Sequence, residues 1–224
     1  MNNIEKFRKN ASVESLGLSD PIIYEDILNI LTNNSIQPSS LLDIGCGQGE
    51  FIKLLKMTLK ECEVSGTDLT EFTDQDVYNF IPQDLNLDFN NLFKKYDLIT
   101  AIEVIEHVEN GRHFIRQIEQ LLTLNGDAFI STPNTESWRS LISFFIRGYH
   151  VNFGPKNYPA HICSYTEFEI KNIIKETTNL DVVSVYYVKN GKIPSTQMNW
   201  ANIIPFVNNK RFSDNFIVHF RKIK

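Results

Sequence analysis

The segment that most constrains the fold of this chain is a short apolar run that breaks into three glycines and then resumes as a helical pattern. The run Leu41–Ile44 is followed by Gly45, Gly47 and Gly49, and Asp43 stands two residues before the first of them. Glycines permit unusual φ and ψ angles and remove the Cβ atoms that would keep a ligand from the backbone. We therefore predict a strand, a ligand-binding turn and a helix whose first amides face an anionic group. A glycine turn on its own can also be purely structural.

Three further segments place polar residues at the ends of predicted strands. Glu63–Leu69 predicts a second strand ending in Asp68, about 20 residues after the glycines, where a βαβ unit places a carboxylate for ribose hydroxyls. Phe80–Leu85 predicts the end of a third strand. Tyr96–Val108 predicts a buried parallel strand that leads into a Glu-x-x-Glu-His cluster. Because open α/β sheets bind ligands at the carboxyl ends of their strands, we expect this cluster to face the active site.

These motifs and their order resemble those of the class I S-adenosylmethionine (SAM)-dependent methyltransferases. The spacing of Asp43, Gly45, Gly47 and Gly49 is tighter than the dinucleotide pattern G-x-G-x-x-G and resembles the first motif of that family. The fourth segment and Phe129–Asn134 resemble the corresponding strands of the ubiquinone-biosynthesis O-methyltransferases and their bacterial relatives. The resemblance covers roughly residues 38 to 190. It is specific for SAM dependence and only weakly specific for the substrate.

The resemblance implies a role in SAM binding for each motif. The glycine loop would wrap the methionyl part, with Asp43 near the α-amino group, directly or through water. Asp68 would accept hydrogen bonds from the ribose hydroxyls. Asp84 would accept from the adenine amino group, while a neighbouring backbone N–H serves the ring. The predicted cofactor-binding residues are Asp43, Gly45, Cys46, Gly47, Gly49, Asp68, Leu69, Asp84, Leu85 and Glu103.

The alternation of strands and helices predicts an α/β, doubly wound sheet. The resemblance implies a Rossmann-like sheet of seven mostly parallel strands. In that fold Asp181–Lys189 and Phe216–Arg221 form an antiparallel hairpin at one edge, with the final strand inserted between its neighbours. With 224 residues and 42% apolar content, we expect one domain over residues 1–224. Apolar periodicity predicts helices at Pro21–Leu31 (capped by Asp20), Phe51–Lys60, Gly111–Leu122 and Tyr165–Thr177.

Methyl transfer is an in-line displacement, in which positioning supplies most of the rate effect and a general base roughly 10²–10⁴-fold. Histidine titrates near neutrality, so His107 and His161 are the predicted catalytic residues. For both, a loop-fixing hydrogen bond is the alternative. We expect His113 and His219 to be structural and Cys46 to fill space. The intact fourth motif favours an enzyme over a cofactor-binding protein that has lost catalysis.

A metal site is the second hypothesis for the same cluster. Glu103, Glu106 and His107 supply two carboxylates and an imidazole within five residues, and His161 offers a second imidazole. A similar arrangement occurs in the small-RNA 3′-end 2′-O-methyltransferases, where the metal lowers the pKa of the acceptor hydroxyl. Metal-free relatives also keep Glu-His after the fourth strand, so a site without metal is the preferred interpretation.

Two segments outside the scaffold are expected to determine the acceptor, the first lid segment (residues 137–164) and the second lid segment (residues 190–214). We expect the rings of the first to exclude water and its cations to hold an anionic group, the alternative being that the rings pack a helix onto the sheet. The second could instead form an interface, so the chain is predicted to be a monomer or a homodimer. The residues in question are Trp138, Phe144, Phe145, Tyr149, Phe153, Tyr158, Arg139, Arg147, Lys156, His150 and His161.

The preferred acceptor is a small molecule methylated on oxygen, such as a saccharide or a phosphorylated intermediate of cell-envelope synthesis. A membrane-associated quinone precursor is an alternative, because Trp138, Leu141, Ile142 and Phe145 share one predicted helical face. The 22 basic and 27 acidic residues give a net charge of −5, which makes nucleic acid an improbable partner. Three cysteines without a C-x-x-C pair and no apolar run of transmembrane length predict a cytoplasmic protein.

Overall fold

The computed structural model describes residues 6, 8–10, 17–70, 78–177, 179–204 and 209–224. Within these residues one sheet of seven strands is flanked by helices. The strands are β1 (Ser40–Ile44), β2 (Glu63–Asp68), β3 (Asn79–Pro82), β4 (Tyr96–Ile102), β5 (Leu122–Pro133), β6 (Leu180–Tyr187) and β7 (Asn215–Lys222). The helices are α1 (Pro21–Asn33), α2 (Glu50–Thr58), α3 (Gly111–Leu121), α4 (Trp138–Arg147) and α5 (Glu167–Glu176).

The strand order is β3-β2-β1-β4-β5-β7-β6, as the resemblance predicts. The first five strands are parallel, and β7 runs antiparallel to both β5 and β6. The chain order reverses between β1 and β4, which is where ligands bind in open α/β sheets. The register places Asp43 opposite Thr100 at this point, so the ends of the two strands meet at one edge.

Both faces of the sheet are covered, which explains why its central strands are apolar without alternation. Leu41, Leu42 and Ile44 of β1 are all fully buried. Helix α3 buries Phe114 and Ile118 against one face. The rigid sheet therefore fixes the positions of the polar loops that follow β1, β2 and β4.

The helix limits agree with the sequence prediction to within two residues. The Asp20 carboxylate caps α1 by accepting from the Ile22 amide at 3.1 Å, as predicted. Helix α5 begins at Glu167, because Thr166 and Glu169 form a capping box that ends the preceding loop. Strand β5 begins at Leu122, seven residues before the Phe129–Asn134 motif that indicates this strand.

The first lid segment is partly helical. Ser137 caps α4, and Gly148 ends it in the left-handed conformation. The second lid segment contains only short turns in its described residues, and residues 205–208 lie outside the description. Among the helices described, none has the length and apolar character needed to cross a bilayer.

Candidate active site

A cleft opens at the carboxyl ends of β1, β2 and β4. It encloses about 1210 Å³, counting the part open to solvent. All the predicted cofactor-binding residues except Gly47 and Gly49 line it, and both predicted catalytic histidines do as well. The sheet therefore brings the separate sequence motifs together in one space.

The glycine loop after β1 is held in a left-handed conformation between its neighbours. Gly45 and Gly47 have φ angles of 70° and 48°, in the region that disfavours other residues. A Cβ at Gly47 would stand 2.2 Å from the Gly17 carbonyl oxygen. The Gly47 amide donates to Asp68 at 3.0 Å, and the Gln48 amide donates to Gly17 at 3.2 Å. The loop thus needs glycine because it is packed between β2 and the chain preceding α1.

Two carboxylates lie beside the loop. Asp43 is buried, and the Thr100 hydroxyl donates to it at 2.7 Å. Burial raises the pKa of Asp43 to about 7; the Thr100 bond opposes this, and the charge of Asp68 adds to it. Asp68 accepts from the Gly47 and Leu69 amides, at 3.0 and 2.6 Å. These bonds fix the Asp68 carboxylate at the end of β2, where it faces the cleft.

Asp84 follows β3 and lies farther along the cleft. Its carboxylate accepts from the Asn86 amide at 2.9 Å and from the Arg8 guanidinium at 3.0 Å. Leu85 lines the cleft beside it. Asp84, Leu85 and Arg8 therefore lie together at this part of the cleft, and adenine binding by Asp84 and Leu85 stays a prediction.

Glu103 directly follows β4 and has a left-handed conformation, with φ of 53°. Its amide donates to Ser131, and its carboxylate accepts from the Asn215 side chain at 2.8 Å. Burial raises the pKa of Glu103, while hydrogen bonds from Asn215 and the Ser19 hydroxyl and from the Asp20 backbone oppose the rise. The carboxylate therefore joins β4, β7 and the chain before α1.

His107 and His161 form the polar end of the cleft. Their rings are perpendicular, with centroids 4.7 Å apart. His107 Nδ1 lies 2.8 Å from the Ala160 carbonyl oxygen and so donates to it, which leaves the lone pair on Nε2. Burial and the neighbouring His161 lower the pKa of His107 to about 4, against hydrogen bonds to the carbonyls of Ala160 and Glu103. Burial also lowers the pKa of His161. Both imidazoles are thus neutral near pH 7.

Glu106 is fully buried beneath these histidines. Its Oε2 accepts from the Thr132 hydroxyl at 3.0 Å. Burial and the charge of Glu103 raise its pKa well above the ordinary value. Among the described residues, neither Glu106 Oε1 nor His161 Nδ1 has a hydrogen-bond partner. One potential ligand atom from each of Glu106, His107 and His161 lies within 4.8 Å of the others. This trio could hold a metal ion; the fourth predicted ligand, Glu103, lies outside it.

The first lid segment reaches the cleft only through Pro159, His161 and Ile162. The rings expected to cover the acceptor do not line the cleft, and Phe145 is 91% exposed. Arg139 pairs with Asp214 at 2.6 Å, which keeps this cation away from the cleft. Arg147 and Lys156 are exposed and do not line it either. The described residues of the second lid segment also stay outside the cleft.

The other polar candidates have structural surroundings. His219 is buried between β5 and β6, with Nε2 2.6 Å from Asp127 and its ring stacked on Phe129. The His113 amide donates to the Asn110 cap of α3. Cys46 is buried, and burial raises the pKa of its thiol. These surroundings are consistent with structural histidines and a space-filling cysteine.

The cleft also contains residues that no motif indicated: Arg8, Gly17, Leu18, Ser19, Tyr24, Asn86 and Glu109. Most belong to the chain before α1 or to α1 itself. No motif marks the residues before α1, so their contact with the cleft depends on the tertiary fold. Tyr24 differs from these residues because it lies on the buried face of α1.

The strand order with an inserted antiparallel β7 and the glycine loop after β1 define a class I SAM-dependent methyltransferase. Comparison with protein families agrees, since residues 22–185 match the family model described as a methyltransferase domain. The chain therefore belongs to this methyltransferase family and is an enzyme that uses SAM.

Curated relatives include ubiquinone biosynthesis O-methyltransferases from Rickettsia. The protein of Rickettsia canadensis is 27% identical over 163 residues, covering 67% of each chain. That of Rickettsia typhi is 29% identical over 158 residues, covering 66% of this chain and 63% of the relative. The chain thus spans about two thirds of the length of these relatives.

Solved structures with the same fold include a SAM-dependent methyltransferase from Archaeoglobus fulgidus, with a TM-score of 0.60 and 22% identity over 89% of this chain and 94% of that one. The plantazolicin methyltransferase BpumL, solved with a desmethylPZN analog and SAH, has a TM-score of 0.62 and 18% identity, covering 99% and 98%. The N-methyltransferase NodS from Bradyrhizobium japonicum has a TM-score of 0.58 and 17% identity, and the match covers 92% of this chain and 90% of that one. At these identities the likeness extends to the fold alone.

Proposed function

We propose that this enzyme transfers the methyl group of SAM to a hydroxyl oxygen of a small, uncharged acceptor. The observation behind the proposal is the pair of neutral imidazoles, His107 and His161, at one end of a cleft whose other walls bear the predicted SAM-binding carboxylates. SAM supplies an electrophilic methyl group. The protein must then bind the cofactor, align the acceptor and remove its proton.

The chemistry of the cleft fits SAM. The cofactor presents hydrogen-bond donors along its length: an ammonium group, ribose hydroxyls and an adenine amino group. Asp43, Asp68 and Asp84 provide acceptors in the same order, from β1 to β2 to the loop after β3. Each ionised carboxylate has about four acceptor positions, so the protein bonds already made to Asp68 and Asp84 leave capacity for a ligand.

His107 and His161 are proposed to act as bases. With Nδ1 of His107 donating to Ala160, Nε2 is available to accept a proton from the acceptor hydroxyl. The low pKa of His107 keeps that lone pair free at neutral pH, although it also makes the imidazole a weak base. We therefore expect His107 to accept the proton of the acceptor hydroxyl during methyl transfer, and not before it.

The charges of the cleft favour an uncharged acceptor. All 22 lysine and arginine side chains lie in the described residues, and of these only Arg8 lines the cleft. Arg8 is itself paired with Asp84 and Glu109. A phosphorylated acceptor or RNA would therefore meet no unpaired arginine or lysine. A saccharide hydroxyl, or the phenolic hydroxyl of a quinone precursor suggested by the names of the Rickettsia relatives, fits better.

A metal-assisted transfer is the second candidate, favoured by the Glu106, His107 and His161 trio. Two buried atoms of the trio have no partner among the described residues, and carboxylate and imidazole are common ligands of divalent metals. A bound cation would lower the pKa of the acceptor hydroxyl. For both candidate functions, the cytoplasmic location and the monomeric or dimeric state of the chain stay predictions.

The test is methyl transfer from labelled SAM to acceptors matched for charge, with and without a chelator. Catechol is compared with 3,4-dihydroxybenzoate, a free saccharide with its phosphate ester, and all of these with small RNA. We expect label in the neutral member of a pair and no effect of the chelator. Preference for the charged member would contradict the uncharged acceptor, and loss of activity on chelation would select the metal-assisted candidate.

A further inference from the structure

Arg8 connects two walls of the cleft. Its Nε and Nη2 atoms donate to the two carboxylate oxygens of Glu109, at 2.9 and 3.0 Å, and its Nη1 donates to Asp84 at 3.0 Å. Asp84 follows β3, and Glu109 follows the turn after β4. We call these three residues the Arg8 bridge. A forked arginine–carboxylate contact is directional as well as charged, so it fixes the position of the guanidinium.

The two acceptors of the Arg8 bridge are themselves tied together. Asp84 accepts from the Asn86 amide at 2.9 Å, and Asn86 Oδ1 accepts from the Glu109 amide at 2.7 Å. The Glu109 backbone is therefore tied to the loop that bears Asp84 without Arg8. This tie keeps both acceptors near the guanidinium, which distinguishes the contact from an ion pair that forms wherever two long side chains meet.

Exposed ion pairs contribute little, but part of the Arg8 bridge is shielded from water. The side chains of Arg8 and Asp84 are 16% and 13% exposed, whereas that of Glu109 is 53% exposed. Burial limits the screening of the Arg8–Asp84 pair by salt. Carboxylates on both sides raise the pKa of Arg8, so the guanidinium stays charged.

The chain before α1 contacts the cleft at a second place. Gly17 accepts from the Gln48 amide of the glycine loop, and Ser19 lines the cleft beside it. Arg8 and Gly17 thus lie near opposite ends of the predicted cofactor position, at the adenine end and the methionyl end. The described residues before α1 consequently contribute to the wall of the cleft at both ends.

We infer that Arg8 retains the cofactor, by closing the adenine end of the cleft between Asp84 and Glu109. The inference rests on the proposed position of SAM, with its adenine at Asp84 and Leu85. Asp84 can accept from Arg8 and from the adenine amino group together, because an ionised carboxylate has several acceptor positions. The planar guanidinium also suits stacking on a base. SAM or SAH leaves after the Arg8 bridge opens, so Arg8 acts on the dissociation rate more than on association.

The experiment measures the dissociation rate of SAH from the full chain by stopped-flow displacement. In Arg8→Ala we expect this rate to rise roughly tenfold, the effect of losing charge-assisted hydrogen bonds. Lys9→Ala is the matched control, because it removes the adjacent exposed cation and should leave the rate unchanged. The dissociation rate of Arg8→Lys should lie between those of Arg8→Ala and Lys9→Ala, since an ammonium group cannot form the two-pronged contact with Glu109.

Glu109→Gln tests the same contact from the partly exposed side, where misfolding is not expected. It should also raise the rate, and the double variant with Arg8→Ala should add little to either single change. Raising the ionic strength from about 0.05 M to about 0.5 M screens the exposed Arg8–Glu109 pair, so it should speed dissociation from the wild type more than from Arg8→Ala. A structural role alone would not give this difference.

Two outcomes would overturn the inference: an unchanged dissociation rate in folded Arg8→Ala and Glu109→Gln, or an equal effect of Lys9→Ala. Circular dichroism establishes that each variant is folded. If wild-type protein bound neither SAM nor SAH, the proposed function itself would fail. If the wild type binds both and Arg8→Ala releases SAH at the same rate, only the role of Arg8 fails.

Discussion

Replacing Asp43 by asparagine should stabilise the folded chain while weakening SAM binding. Burial raises the pKa of this carboxyl from 3.8 to about 7, which corresponds to a cost on the order of 4 kcal/mol for ionising it in the folded chain. Asparagine keeps an oxygen that can accept from Thr100 and has no charge to bury. The ammonium group of SAM then loses its ionised partner, and affinity should fall roughly 10- to 100-fold.

The sign of the pH dependence follows from the two pKa values. Between pH 3.8 and 7 the folded chain holds a proton on Asp43 that the unfolded chain has released, so wild-type stability falls as the pH rises through this range. Above about pH 7 Asp43 is ionised in both states, and the full free-energy cost of ionising it in the folded chain is present. The asparagine side chain of the variant does not titrate in this way. The stability gain of Asp43→Asn should therefore be about 2 to 3 kcal/mol larger at pH 8 than at pH 5.

Urea denaturation at pH 5 and pH 8 measures both free energies of unfolding, and calorimetric titration with SAM at pH 8 measures the affinity. Asp181→Asn, which neutralises an exposed carboxylate on β6, is the control and should change neither quantity appreciably. Equal stability changes at the two pH values would refute the ionisation cost. Undiminished SAM affinity would refute the placement of Asp43 beside the ammonium group.

Four further outcomes are expected. Asp68→Asn should weaken SAM binding roughly tenfold by calorimetry, through loss of a charged acceptor for the ribose. Gly47→Ala should lower the melting temperature more than the matched control Gly148→Ala, since both have positive φ but only Gly47 would press on Gly17. His107→Ala and His161→Ala should bind SAM normally yet lose roughly 10²–10⁴ in turnover. Lowering the pH from 6.5 to 4 should destabilise the wild type more than His107→Gln in acid denaturation, because the folded chain resists protonating this buried ring.

The fold could be predicted from the sequence because its motifs are local. Asp43 and Asp68 each stand at the end of an apolar strand, and parallel strands bring their carboxyl ends together without further information. The inserted position of β7 has no such local signal. It followed from the family resemblance carried by the glycine loop, and the sheet order confirms it.

The lid prediction shows where composition stops being informative. Arg139 and His161 belong to one basic, aromatic segment, yet Arg139 pairs with Asp214 and His161 meets His107 in the cleft. What separates them is the folding of the intervening loop, whose Ile162 and Cys163 amides both donate to the Glu106 carbonyl. Those contacts join residues 56 or more positions apart, so periodicity and charge counts could not anticipate them.

The two glutamates of the Glu-x-x-Glu-His motif have different surroundings because of the backbone conformation at Glu103. From the sequence, Glu103 and Glu106 form a single acidic cluster with His107. In the structure Glu103 adopts φ of 53°, at a cost of about 1–2 kcal/mol for a residue with a Cβ, and its carboxylate bonds to Asn215. Glu106 instead stays under the two imidazoles. The Glu103 carboxylate thus joins the chain before α1 to the sheet. A single glutamate, Glu106, stays beside the two imidazoles, and its buried Oε1 has no hydrogen-bond partner among the described residues. A cation shared with the imidazoles would give that oxygen a partner, whereas a proton on Glu106 would remove the buried charge but leave the O–H without an acceptor among the described residues. The chelator arm of the transfer assay therefore bears directly on the chemistry of this motif.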